Sequence, residues 1–275
     1  MSVAFGFSDR VEVTPDETAV FLEFAKRTAR SAGSAVLPYF RSPLAVENKH
    51  VDGTFDPVTE ADKAAEFEIR AAIEHSFPAH GIYGEEFGYK HGNGLTWVID
   101  PIDGTRAFMS GMLHWGVLLA LFDGEVPVLG VMYQPYTDEL FFGDGQQAAL
   151  IRSGVQTPLR TAAGVVEVAE AVLATTGPDW FVGDDLTRFE RLRQSARMCR
   201  YGGDCYLFAA AALGFVHLAT DASLNAYDIQ ALIPIIRGAG GVVTTYDGGN
   251  PAMGGTVLAS SNSTLHERAL AILNE

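Results

Sequence analysis

Basic residues are scarce in this chain: 19 lysines and arginines stand against 34 aspartates and glutamates, a formal charge of −15 over 275 residues. A nucleic-acid backbone needs clustered cations to displace its counterions, so the charge argues against that class of partner. Cysteine is scarcer still. Cys199 and Cys205 are the only two and lack CxxC spacing, which argues against a zinc site and against a disulfide framework. Long apolar runs are missing as well: the longest, Tyr206 to Ala219, contains Gly214 and His217 and falls short of a membrane span. It predicts a buried helix running into a strand. The opening segment MSVAFGFSDRVEVTPDE has no basic stretch followed by an apolar one, so no secretory leader is expected. A soluble, cytoplasmic protein without a membrane partner is the expectation. HExxH, GxxxxGKS/T and GxSxG patterns are absent, leaving zinc-peptidase, P-loop and serine-hydrolase chemistry without a foothold.

What is present is 48% hydrophobic sequence, enough for one sizeable domain or two lobes sharing an interface. Thr14-Pro15-Asp16-Glu17 is a capping box with proline at the first helical position. Val20, Phe21, Phe24, Ala25, Thr28 and Ala32 then recur at helical spacing and predict a helix to about Pro38. Residues 41–55 read as a loop or a weak hairpin. Thr59-Glu60-Ala61-Asp62 opens a second helix that buries Ala65, Ile69, Ala72 and Ile73. From Gly81 to Phe142, short apolar runs (Thr96–Ile99, Trp115–Phe122, Val126–Tyr133, Glu139–Phe142) between Gly, Pro and Asp predict a sheet. The weakly patterned residues 152–170 suggest a boundary between an N-terminal α+β lobe, 1–151, and a C-terminal α/β lobe, 152–275. In the second lobe strand-like runs at 171–175, 216–219, 241–245 and 256–260 alternate with helices near 185–195, 204–214, 228–238 and 262–274, a layered α/β pattern.

The densest chemical signal is Trp97-Val98-Ile99-Asp100-Pro101-Ile102-Asp103-Gly104-Thr105. Pro101 fixes its own φ and biases Asp100 toward extended geometry, so the chain turns sharply and both acids can enter one site at the strand's end. Hard divalent cations take such oxygen ligands, backbone carbonyls like that of Ile102 included. Gly104 permits close backbone approach, and N–H groups at a following helix start can hold a phosphate. By itself the motif reads equally as a turn with solvated acids, since turns are rich in Asp, Pro and Gly. Three more acidic motifs accompany it: Gly84-Glu85-Glu86, Asp56-Pro57-Val58-Thr59-Glu60-Ala61-Asp62 and Tyr227-Asp228. Singly, each acid has a bland role, Asp62 and Asp228 as helix-start residues and Glu85 as a loop acid.

Taken in order, DPVTEAD, GEE, WVIDPIDGT and YD followed by GAGG resemble the inositol monophosphatase family of metal-dependent phosphatases, over nearly the whole chain. The resemblance implies an α–β–α–β–α sandwich, a homodimer, and two or three magnesium ions per active site at the lobe junction. It makes Glu85, Asp100 and the Ile102 carbonyl ligands of one metal, and Asp100, Asp103 and Asp228 those of the second. Thr105 and Asp62 match the pair that helps to activate the attacking water, completing with Glu85 the catalytic set. The backbone of Gly104 and Thr105 matches the phosphate cradle, and Lys49 falls in the family's mobile metal-loop region. The substrate implied is a small phosphate ester.

Within that family DPIDGTRAF (Asp100–Phe108), Gly203-Asp204-Cys205-Tyr206 and Tyr227–Ile235 resemble the histidinol-phosphate phosphatase branch. Inositol-type members tend to carry small residues where Asp204 stands and Trp-Asp where Tyr227-Asp228 stands. Histidinol phosphate bears an ammonium and an imidazole, which call for acceptors or negative charge beyond the metal ligands. Asp204 and Asp221 supply them, with Arg106 as a further substrate-side candidate. Asp204 also reads as a helix N-cap. Asp221 lies where inositol-type relatives carry a substrate carboxylate, which keeps myo-inositol phosphate as the alternative ester. One departure is Asn225-Ala226, where the histidinol-phosphate branch often has Lys-Pro. A regulatory protein of the same fold acting by partner binding is the reading from another class, disfavoured because every expected ligand is present.

Overall fold

The computed structural model describes residues 10–43, 46–48 and 57–275. Lys49 and Asp56 lie outside these described residues. Helix α1 (Pro15–Val36) starts with the expected capping box at Thr14 and passes into a short 3-10 turn, Leu37–Tyr39. Strands β1 (Val46–Asn48) and β2 (Pro57–Thr59) pair antiparallel, and α2 (Glu60–Ser76) follows, capped by Thr59. Then come β3 (Gly81–Gly84), β4 (Gly88–Lys90), β5 (Thr96–Asp103), the short helix α3 (Thr105–Met109), β6 (Gly116–Phe122), β7 (Pro127–Gln134), β8 (Glu139–Gly143), β9 (Ala148–Arg152) and β10 (Val155–Pro158). They form one sheet in the order β10-β9-β8-β7-β6-β5-β3-β4, antiparallel except where β3 runs beside β5.

The second sheet contains β11 (Val172–Thr175), β12 (Met198–Tyr201), β13 (Leu218–Leu224), β14 (Val242–Thr245) and β15 (Gly255–Ser260), in the order β12-β11-β13-β15-β14. Its helices are α4 (Asp184–Ser195), α5 (Cys205–Ala212), α6 (Ala226–Ile229), α7 (Leu232–Gly238) and α8 (Ser263–Leu273). Helices α1 and α2 cover the outer face of the large sheet, α5 and α7 fill the space between the sheets, and α4 and α8 cover the far face of the small one. This is the α–β–α–β–α sandwich. Three cores hold it: one under α1 and α2, one around α5–α7, one under α4 and α8.

Side-chain alternation shows why the large sheet must be covered twice. Every residue of β6 is buried. Val117, Leu119 and Leu121 enter the α1–α2 core, while Leu118, Ala120 and Phe122 enter the middle one. A strand apolar on both faces is stable only between two layers. In the second lobe the helix expected at 228–238 divides into α6 and α7. Gln230 and Ala231 keep helical angles, but Pro234 has no N–H to offer the Gln230 carbonyl, so the ladder is interrupted there. Strands β4, β9, β10 and β12 went unrecognised in sequence. They are edge or near-edge strands, and β10 and β12 are largely exposed, so they lack the apolar alternation that would reveal them. The large sheet accordingly reaches Pro158, into the stretch read as a connection.

Candidate active site

The two acids of the Asp-Pro-Ile-Asp segment share a site because a strand irregularity inverts the alternation between them. On β5, Trp97 and Ile99 enter the α1–α2 core and Val98 the middle one. Asp100 therefore faces the middle layer. Pairing with β6 is regular to Asp100 and shifts before Asp103. Ile102 consequently lies in the α1–α2 core, and Asp103 emerges on the same side as Asp100, three residues on. The Ile102 N–H donates to Asp100 Oδ1 at 3.1 Å, which tightens the turn. Glu85 directly follows the neighbouring β3, with its N–H donating to the Ile99 carbonyl at 3.3 Å. Asp228 comes from the first turn of α6, where Oδ2 accepts from the Asn225 N–H at 2.6 Å. Ligand oxygens of Asp100, Asp103 and Asp228 lie within 4.8 Å of one another.

These acids resist ionisation. Burial pushes Asp100 far above the usual carboxylate range, reinforced by Glu85, Asp103, Asp228 and Asp62. Asp103 is raised in the same way, by burial and then by Asp204 and Asp228. Asp228 reaches about 7, chiefly through burial. Like charges held this close in a poorly solvated pocket need a counter-ion to be anionic together. An all-oxygen donor set fits a hard divalent cation rather than a soft one. The residues present therefore fit the implied metal.

Gly104 follows with φ of +86° at the start of α3, where a Cβ would stand 2.4 Å from the His114 carbonyl oxygen. Only glycine suits that position. The Thr105 hydroxyl donates to the Ile102 carbonyl at 3.1 Å. Asp62 is buried at the third position of α2, and its Oδ2 accepts from both the N–H and the hydroxyl of Thr59. Glu85, Asp100, Ile102, Asp103, Gly104, Thr105, Arg106, Asp204, Asp221 and Asp228 all line one cavity of about 290 Å³; Asp62 is not among its lining residues.

The opposite wall comes from the small sheet. Asp204 occupies the position before α5 with φ of +45°, yet its side chain makes no capping bond. The cap comes from across the cleft: Asp103 Oδ2 accepts the Cys205 N–H at 2.6 Å. The Asp204 carboxylate is thereby left to the cavity, raised to about 6 by burial and opposed by the Arg106 charge. Asp221 is 3% exposed and already has donors. Its Oδ1 accepts from the Thr175 hydroxyl and the Thr176 N–H, both at 2.8 Å, and its Oδ2 from the Thr176 hydroxyl at 2.7 Å. That hydroxyl in turn accepts the Asp204 N–H at 3.1 Å. The guanidinium of Arg106 sits 4.7 Å from the Trp180 ring centroid, closing the rim.

Residues 17–275 match the model of the inositol monophosphatase family. The chain belongs to that family. It is 34% identical to the histidinol-phosphatase of Chlorobaculum parvum over 264 residues, covering 95% of this chain and 97% of the relative. It is 32% identical to the chloroplastic bifunctional phosphatase IMPL2 of Arabidopsis thaliana, over 95% of this chain and 77% of that protein. Among solved structures, an inositol monophosphatase from Zymomonas mobilis superposes with a TM-score of 0.83 at 34% identity, covering 94% of this chain and 98% of its own. As a member of the inositol monophosphatase family, the chain is a phosphoric monoester hydrolase.

Thr176 and Trp180, which line the cavity, escaped sequence reasoning, as did Glu66 on α2, which does not line it. Thr176 ends an apolar run and would pass for an ordinary strand terminus. Trp180 follows Gly177-Pro178, a turn signal that says nothing of the ring's destination. Glu66 stands on the buried stripe of α2, and its only advertisement is Arg70 four residues on.

Proposed function

We propose that the protein is a magnesium-dependent phosphomonoesterase whose ester carries a cationic group, with histidinol phosphate as the substrate read first. The observation behind the substrate reading is the Asp204 carboxylate, half-buried, making no capping bond and lining the cavity opposite the acids read as metal ligands. A charge-assisted hydrogen bond from an ammonium or imidazolium is the interaction such a group offers. Asp221, with three donors already in place, is better suited to support Asp204 than to meet the ester itself. The relative named histidinol-phosphatase adds weight. Myo-inositol phosphate remains the alternative, with Asp221 as the hydroxyl acceptor.

In this reading Glu85, Asp100, the Ile102 carbonyl, Asp103 and Asp228 hold two magnesium ions, and a third is compatible with the resemblance. Bound magnesium acidifies water and neutralises the oxygen that leaves in an in-line displacement. The chain's own groups do the rest. The Gly104 and Thr105 N–H groups orient the phosphate, the Thr105 hydroxyl and Asp62 align the attacking water, and Arg106 with Trp180 borders the entrance. The resemblance further supports a homodimer; the cytoplasmic location and the lobes 1–151 and 152–275 are readings from composition and patterning, and the large sheet carries the first lobe on to Pro158. Among the described residues no helix is long and apolar enough to cross a membrane.

The test is phosphate release with magnesium from histidinol phosphate, inositol 1-phosphate, fructose 1,6-bisphosphate and adenosine 3′,5′-bisphosphate. The expected result is a specificity constant for histidinol phosphate well above the other three. Preference for inositol 1-phosphate would transfer the reading to the alternative. Full turnover in chelator would end the metal-dependent mechanism.

A further inference from the structure

Glu66 is fully buried on α2, four residues after Asp62, and belongs to none of the family motifs quoted above. Its carboxylate reaches across to the turn that follows β3. It accepts the Glu86 N–H at 2.7 Å and the Phe87 N–H at 3.2 Å, and the Arg70 Nε–H at 2.7 Å. Arg70 also donates through Nη2 to the Gly88 carbonyl, and its guanidinium lies 5.9 Å from the Phe87 ring centroid. The two residues after Glu85 are thus anchored through their backbones, and the far end of the turn through Arg70. On the near side, a Cβ on Gly84 would stand 1.9 Å from Glu66 Oε1. Glycine there is the condition for the carboxylate to approach.

We propose that Glu66 is the positioning residue of Glu85: the buried Glu66 carboxylate, paired with the half-buried Arg70, fixes the backbone from Gly84 to Gly88, and so fixes where the Glu85 carboxylate meets a metal. This rests on the reading that Glu85 is a metal ligand. Burying an ionised carboxylate is costly unless hydrogen bonds and a counter-charge compensate it. Closing a short turn between β3 and β4 does not by itself call for one. The donors here are the N–H groups immediately after a site acid, which is how outer partners hold a ligand in register. Because Arg70 neutralises Glu66, the strut adds no net negative charge beside acids that already repel one another.

The test uses the full chain stripped of metal, with Mn²⁺ affinity read by calorimetry and folding by circular dichroism and urea denaturation. Glu66→Gln preserves shape but turns an amide N–H₂ toward donors. Glu66→Asp keeps the charge beside Arg70 while withdrawing the carboxylate from the turn, and it serves if the first variant does not fold. Either folded variant is expected to bind Mn²⁺ about tenfold to a hundredfold more weakly. Turnover of p-nitrophenyl phosphate should recover on raising magnesium, since the ligand is displaced and not removed. In a Glu85→Gln background the Glu66 substitution should cost no further affinity, within about twofold. Wild-type Mn²⁺ affinity in a folded Glu66 variant, beside a weakened Glu85→Gln, would overturn the proposal alone. Wild-type affinity in Glu85→Gln would instead overturn the ligand reading on which it rests.

Discussion

The two walls of the cleft are both acidic, but they treat their acids differently. On the large-sheet wall burial is the first influence on Asp100, Asp103 and Asp228; neighbouring acids add to it, Asp204 first among them for Asp103, while the Asn225 N–H partly offsets it for Asp228. On the small-sheet wall Asp221 holds three hydrogen bonds and Asp204 has Arg106 as a counter-charge. One wall gathers acids that need a cation from outside; the other holds Asp221 by hydrogen bonds and leaves the Asp204 carboxylate to the cavity, with burial raising the two to about 7 and about 6. A strained cluster of this kind stores affinity for a metal. A satisfied one stores shape, which a substrate can recognise.

The largest effect should follow from breaking the first wall. Asp103→Asn and Asp228→Asn each remove a ligand while nearly preserving volume. They should lower turnover of p-nitrophenyl phosphate by more than about a hundredfold, the upper end for the outer hydrogen-bond partners of metal ligands, with circular dichroism unchanged. EDTA should abolish turnover and magnesium restore it. A folded Asp228→Asn with near-normal turnover would leave no case for a ligand there.

Breaking the second wall should be selective. Asp204→Asn should cost about 1.5–3 kcal/mol on an ester with a cationic end, the worth of a hydrogen bond to a charged group. That is roughly tenfold to over a hundredfold in kcat/KM for histidinol phosphate. Hydrolysis of p-nitrophenyl phosphate, which has no cation to lose, should stay near wild type. Equal losses on both esters would assign Asp204 to the metal wall instead.

Metal binding by the first wall should depend on pH, although burial also raises Asp204 to about 6 and Asp221 to about 7 on the second. A carboxyl whose folded pKa is raised above its usual value is favoured in its protonated form. The metal-free protein therefore has that stability at low pH and loses it as pH rises through about 7 for Asp228. Binding a cation requires the opposite form. Apparent Mg²⁺ affinity should rise between pH 6 and pH 8, about tenfold per pH unit for each proton displaced below the pKa. The shift in melting temperature on adding Mg²⁺ should grow alongside. A shift independent of pH would mean that these acids are already ionised without metal.

The same contrast explains how much could be read from sequence. The first wall was legible through the order of four motifs: WVIDPIDGT by itself reads equally as a turn with solvated acids, and only beside GEE, DPVTEAD and YD does it resemble a metal site. The sandwich was legible where strands are buried on both faces, as β6 is, and illegible at β10 and β12, where edges carry mixed polarity. The second wall was only half legible. Asp204 and Asp221 were expected in the cleft and line it. That Asp103 caps α5 in place of Asp204 could not be foreseen, because the bond joins residues 102 positions apart. Glu66 was hidden for the same reason: apart from Arg70 on its own helix, its partners begin 20 residues away, in the turn after β3.

The smallest predicted effect isolates the link inside the second wall. Thr176 joins Asp221 to the Asp204 backbone through one hydroxyl, donating to the first and accepting from the second. Thr176→Val keeps the branched shape and removes both bonds. Losing an ordinary hydrogen bond is worth about 1 kcal/mol, so kcat/KM for histidinol phosphate should fall roughly fivefold. Thr176→Ser, which retains the hydroxyl, should stay near wild type. Asp221 would keep two of its three donors, and the accompanying loss of stability in urea should be of the same order as one hydrogen bond, about 1 kcal/mol. Metal affinity is the deciding measurement, because no ligand of the first wall bonds to Thr176 in any contact described above. If Thr176→Val weakened Mg²⁺ binding as much as ester discrimination, the two walls would be one mechanical unit, and their separation into a metal-holding and a substrate-reading side would fail.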